Sequence, residues 1–106
     1  MGATSRNKGA RGELEVQALY RSAGFLDVHR NFASGAAGGA DLTNAPDVPE
    51  VKRTKANVRF WEWISQASGA TPGDRWSLWI RRDHGTWLVT LPAARYLDLL
   101  KKEAGQ

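Results

Sequence analysis

The side chains most able to do chemistry lie close together in the stretch GGADLTNAPDVPEVKRTK, residues 38–55. It holds Asp41, Asp47, Glu50 and Lys52. If NAPD is a turn, residue 44 faces 47, 43 faces 48, 42 faces 49, and Asp41 falls opposite Glu50. Cross-strand partners project to the same face with Cβ atoms about 4.5–5.5 Å apart. Alternation along a strand then puts Glu50 and Lys52 on that face and Val51 on the other. Asp47, at the turn and an odd offset from Glu50, points elsewhere. Two adjacent carboxylates repel unless something cationic separates them. A hard divalent ion is the usual partner, and Mg²⁺ typically uses one or two carboxylates with waters and a substrate phosphate. A lysine beside it can position or deprotonate a water and neutralise charge as a phosphate is attacked. That set of groups suits metal-assisted phosphodiester hydrolysis.

A plainer reading stands beside this one. Glu-x-Lys on a strand is often a surface ion pair of little energetic weight. Pro49 cannot donate to a sheet ladder, so the pairing of residues 41 and 50 has to accommodate a missing hydrogen bond.

The elements that must position these residues follow from periodicity. Residues 1–9 are polar and read as a flexible basic arm. Residues 10–23 carry an apolar stripe at spacings of three and four, the pattern of a helix, and Gly24 is its expected stop. FLDVHRN, residues 25–31, alternates weakly and reads as a first strand. FASGAAGGA, residues 32–40, is a glycine-rich loop. ADLT and VPEVKR are two short strands around the turn. Residues 56–68 form a second helix, and RWSLWIRR and TWLVTL are strands joined by the tight turn DHG. Pro92 opens a last helix over 92–104. The order is α-β-β-β-α-β-β-α: one mixed α/β domain of 106 residues with helices packed on a central mixed sheet.

Composition bounds the function. The chain has no cysteine, which excludes disulfides and thiolate zinc sites. No apolar run approaches the length of a membrane span. The basic N-terminus lacks the apolar stretch of a secretory signal. Net charge is +4, which favours a polyanionic partner such as nucleic acid. His29 and His84 are isolated and read as structural.

With these residues in place, the chain resembles the PD-(D/E)xK nuclease superfamily, and within it the small Holliday-junction resolvases of archaea and phages. KGARGELEV is similar to the family's opening helix, with Glu13 at its helical glutamate. RNFASGA resembles a loop carrying a serine near the active site, here Ser34. GADL supplies Asp41, PEVKR supplies Glu50 and Lys52, and Gln66 in FWEWISQA matches a glutamine of the following helix. The resemblance covers roughly residues 8–92. In one respect the chain departs from the pattern: Pro46-Asp47 lies only three residues before Glu50, so the metal-binding aspartate is assigned to Asp41.

The resemblance implies a single restriction-endonuclease-like domain. It also implies Mg²⁺-dependent hydrolysis of DNA (Mn²⁺ substituting), leaving a 5′-phosphate and a 3′-hydroxyl. Asp41 and Glu50 would bind the metal, Glu13 would complete or support that site, and Lys52 would activate water. Ser34 would contact phosphate and Gln66 would orient a water or a metal ligand. Glu13 has an alternative in the helix dipole; Ser34 and Gln66 have theirs as ordinary polar residues. Arg6, Lys8, Arg11, Arg30, Arg53, Lys55 and Arg59 would line the DNA backbone in a salt-dependent, largely sequence-independent way. The expected substrate is a four-way junction, the expected assembly a homodimer, and the expected setting the cytoplasm of a prokaryotic or phage-infected cell. The alternatives are another structure-specific nuclease of the same superfamily, acting on flaps, single strands or duplex, and a basic DNA-binding module without activity. The five tryptophans either fill the core or contribute to the dimer interface.

Overall fold

A computed structural model describes residues 2–31, 40–55 and 59–105, with side chains from residue 9 onward. Helix α1 runs Gly2–Ser22, so the segment read as a flexible arm is helical from Gly2. Nothing in its sequence breaks the helix, and the packed turns beyond Gly12 provide the template from which it extends. Gly12, Val16 and Tyr20, each four residues apart, form its buried line. At Gly12 a Cβ would meet Val51, Arg53 and Trp87 at 3.4–3.6 Å, so the bare backbone lets the helix settle closely on the sheet.

The helix ends where expected, by a Schellman motif. Phe25 N–H donates to Tyr20 O and Gly24 N–H to Arg21 O, both at 3.0 Å. Gly24 takes φ +108°, and the Phe25 ring meets that of Tyr20 edge-on at 6.1 Å. This cap consumes Phe25. The strand expected over 25–31 therefore shrinks to β1, His29–Arg30.

Strand β2, Leu42–Thr43, pairs antiparallel with β1, His29 opposite Thr43 and Arg30 opposite Leu42. Strand β3, Val48–Thr54, pairs parallel with β4, Trp76–Arg82, and β4 pairs antiparallel with β5, Leu88–Thr90. Two sheets thus replace the single central sheet expected, and the β2–β3 hairpin is not a ladder. Asn44 adopts φ +65° and turns the chain away, while Pro49 has no N–H with which to extend a hairpin. What survives is one clasp: Asp41 N–H donates to Pro49 O at 3.0 Å.

Helix α2, Phe60–Gly69, connects β3 to β4 as the crossover that a parallel pair requires. Val51 and Trp79, on one face of the sheet, pack with Val16, Tyr20, Val28 and Leu42 against α1. Leu78, on the other face, is fully buried, and α2 lies against β4 and β3 with its own Ala67 buried. Helix α3, Ala93–Ala104, follows Pro92 and buries none of its residues. Among the described residues the order is α1, β1, β2, β3, α2, β4, β5, α3, a mixed α/β domain with two sheets and three helices. No described helix is long and apolar enough to cross a membrane.

Candidate active site

Strand β3 presents its residues by simple alternation. Glu50 and Lys52 share a face with Leu78 and Ile80, their register partners on β4. Glu50 is only 4% exposed, and Lys52 Nζ stands 3.6 Å from its Oε2. Asp41 reaches β3 from the other side of the break. Its Oδ2 accepts a hydrogen bond from Val51 N–H at 2.7 Å, in the middle of the Glu-x-Lys triplet. The expected convergence of Asp41, Glu50 and Lys52 is therefore present, by a side-chain-to-backbone contact in place of a hairpin.

The charges report the same proximity. Burial, and then the neighbouring charge of Asp41, push the Glu50 carboxyl up to about 7; Lys52 opposes the rise and Glu13 adds to it. Burial also raises the Asp41 carboxyl, against the Val51 N–H and Lys52, with Glu13 again contributing upward. Glu13, on α1, thus belongs to the same electrostatic cluster. Its carboxylate accepts from Arg30 Nε at 2.9 Å, and Gln17 Oε1 fixes the Arg30 backbone N–H at 3.0 Å. One basic residue expected on DNA is in this way committed to an acid of the cluster.

Arg53 departs further from its expected role. It projects to the opposite face of β3 from Lys52, beneath α1, with its side chain 18% exposed. There it pairs with Glu15 at 3.7 Å and Asp83 at 3.9 Å. Glu15 also receives Arg81 at 3.1 Å and the Trp87 indole N–H at 2.9 Å. This network joins α1 to the sheet, and it uses Arg53 as structure. Arg59 is exposed but paired with Glu62 at 2.9 Å. Arg11, Lys55 and Gln66 are exposed. Arg6 and Lys8 lie on α1 with side chains outside the described set, and Ser34 lies outside the described residues.

Asp47 turns away from Glu50, as its offset requires, into a network that the sequence did not suggest. Its carboxylate accepts from Tyr20 Oη and Ser77 Oγ, both at 2.6 Å, and Arg95 of α3 stands 4.0 Å away. Ser77 Oγ accepts in turn from the Trp79 indole N–H at 3.2 Å. Burial, then the hydrogen bond to Asp47, hold the Tyr20 hydroxyl well above its ordinary range. Tyr20 and Ser77 lie 27 and 30 positions from Asp47 in the chain, so no local spacing announces this contact.

Among the described residues no three His, Asp or Glu side chains gather closely enough to hold an ion by themselves. The Asp41–Glu50 pair nonetheless fits a hard divalent cation. Both carboxylates are held up by burial and proximity, a condition that a dipositive charge relieves, and Mg²⁺ commonly takes two carboxylates and completes its shell with water and phosphate. Compared with known proteins, the chain matches no family model, no curated protein and no solved structure.

Proposed function

We propose that this protein is a metal-dependent endodeoxyribonuclease that resolves four-way DNA junctions by paired phosphodiester hydrolysis, on a restriction-endonuclease-like fold. One observation carries the reading. A nearly buried Glu50 sits beside Asp41 and 3.6 Å from Lys52, an arrangement in which burial and repulsion raise Glu50 to about 7. Such a pair opposes folding, and a module that only binds DNA gains nothing from carboxylates facing a polyanion. The arrangement of α1 and α2 on the two faces of a mixed sheet, with the acids on β3 and the segment before it, supports the fold reading.

In this mechanism Asp41 and Glu50 would hold Mg²⁺, which when bound would neutralise phosphate charge and make a water more acidic. Glu13 supports the site through its charge and through Arg30. Lys52 hydrogen-bonds the attacking water and neutralises the charge that develops on the phosphate oxygens. Water adds to phosphorus, the bond to the 3′ oxygen breaks, and the products carry a 5′-phosphate and a 3′-hydroxyl. Gln66 orients a water from α2. Arg11, Lys55 and Arg59 are exposed and supply phosphate contacts. A junction needs two cuts, so the working form is a homodimer.

The test is cleavage of a labelled four-way junction against matched flap and linear DNAs, with Mg²⁺, Mn²⁺ or chelator. The parent should make paired nicks on the junction that need metal, and Asp41→Asn and Lys52→Ala should each lower the rate at least about a hundredfold. Equal cutting of flaps would keep the chemistry and remove the junction assignment. Tight binding without cleavage under either metal would remove the enzyme.

A further inference from the structure

The face of the sheet that carries Glu50 and Lys52 also carries a pocket of about 350 Å³. Its walls are Phe60 at the start of α2, Ile80 and Arg82 of β4, and Leu88 and Thr90 of β5. Register fixes its position. Lys52 pairs with Ile80, and Ile80 pairs with Leu88, so these side chains stand in a row on one face. Strands are about 4.8 Å apart, which places the pocket about one to two strand spacings, roughly 5–10 Å, from Lys52.

We propose that this pocket receives an unpaired nucleobase next to the scissile phosphate, and so selects DNA with an unstacked nucleotide at the cut. The inference rests on the nuclease reading and specifies its substrate. Its chemistry and size favour a base. The walls are mostly apolar and include an aromatic ring, which suits the face of a base. Trp61, 75% exposed, meets Phe60 edge-on at 5.3 Å and adds aromatic surface beside that ring. Arg82, exposed at the edge, offers a cation to the flanking phosphate. Leu88 is 64% exposed, an apolar wall that a base would cover. The volume is at the small end for ligand sites, enough for one base and part of its sugar. Extruding a base costs least where pairing is already broken, as at a branch point.

The experiment measures DNA affinity in chelator, so that cleavage does not intervene. Fluorescence anisotropy would compare the parent with Phe60→Ala and Leu88→Ser on a thymidine single strand, a four-way junction and a fully paired linear duplex. Leu88→Ser changes an exposed residue and keeps the test valid if Phe60→Ala fails to fold. Both variants should weaken single-strand and junction binding about tenfold while leaving duplex binding within about twofold. A 2-aminopurine placed at the branch point should brighten with the parent and stay dark with Leu88→Ser. Equal losses on all three DNAs, or no loss on any, would overturn the pocket. A change in sedimentation of Leu88→Ser with unchanged DNA preference would overturn it in favour of a contact between copies. Metal-dependent cleavage by the parent, measured in parallel, separates the two readings: cleavage with insensitive variants sinks only the pocket, and absence of any DNA binding sinks both.

Discussion

At the scale of single residues, Glu50 sets the terms. Its ordinary value is about 4.3, and burial with Asp41 alongside lifts it to about 7 in the folded chain. Between these values the folded state holds a proton that the unfolded state has released. Stability therefore falls as pH rises through this window and levels off above pH 7. Glu50→Gln removes the charge at nearly constant shape. It should stabilise the protein at pH 8 by about 2–3 kcal/mol, allowing for the lost Lys52 contact, and by almost nothing below pH 4. Thermal unfolding across pH 4–8 checks this, and a gain that is constant with pH would place the strain elsewhere. The same variant should be inactive. On the proposed mechanism metal would compete with the proton for Glu50, so cleavage at limiting Mg²⁺ should climb about tenfold per unit below pH 7 and flatten above it.

At the scale of elements, the two aspartates near the break between β2 and β3 have different work. Asp41 serves the carboxylate cluster, whereas Asp47 ties α1, β4 and α3 together through Tyr20, Ser77 and Arg95. Asp47→Ala leaves two hydroxyls without their acceptor and a guanidinium without its charge partner. It should destabilise the fold by about 2–4 kcal/mol, read by denaturant unfolding, while the surviving folded protein cleaves at close to the parent rate. Asp41→Asn should do the reverse. A large loss of turnover in folded Asp47→Ala would instead assign Asp47 to the chemistry. The helix stop at Gly24, the hairpin turn after Arg82 and the boundaries of β4 were legible in the sequence because each depends on neighbours a few residues away. The β2–β3 pairing was not: β4 takes one edge of β3 from a long way along the chain, and on the other edge Pro49 and the turn at Asn44 leave only the Asp41 clasp.

At the scale of the whole molecule, α3 is, among the described residues, the helix with no buried residue. Arg95 leans toward Asp47 with its side chain 15% exposed, while Tyr96, Leu97, Leu99 and Leu100 are 39–56% exposed. Leu97 and Leu100 lie on roughly the opposite side of the helix from Arg95, so the polar edge meets the body and the apolar stripe faces out. Exposed apolar surface of this kind accompanies association. In the proposed homodimer, Leu97→Glu with Leu100→Glu should yield a monomer by sedimentation, with unfolding unchanged within about 0.5 kcal/mol. Such a monomer should nick junctions singly where the proposed dimer would make paired cuts. A dimer that survives both changes would move the interface to another surface.

The sequence by itself determined that Glu50 and Lys52 share a face, that Asp47 does not join them, and that α1 ends at Gly24. These follow from the two-residue period of a strand and the local geometry of a helix cap, which the chain carries wherever it goes. Only the tertiary structure decided that Asp41 meets β3 through the Val51 N–H, that β3 runs parallel to β4, and that Arg30 and Arg53 are committed to Glu13 and Glu15. Those outcomes depend on which distant segment reaches a strand edge or a buried charge. That competition is settled by packing across the whole domain, and periodicity along the chain does not record it.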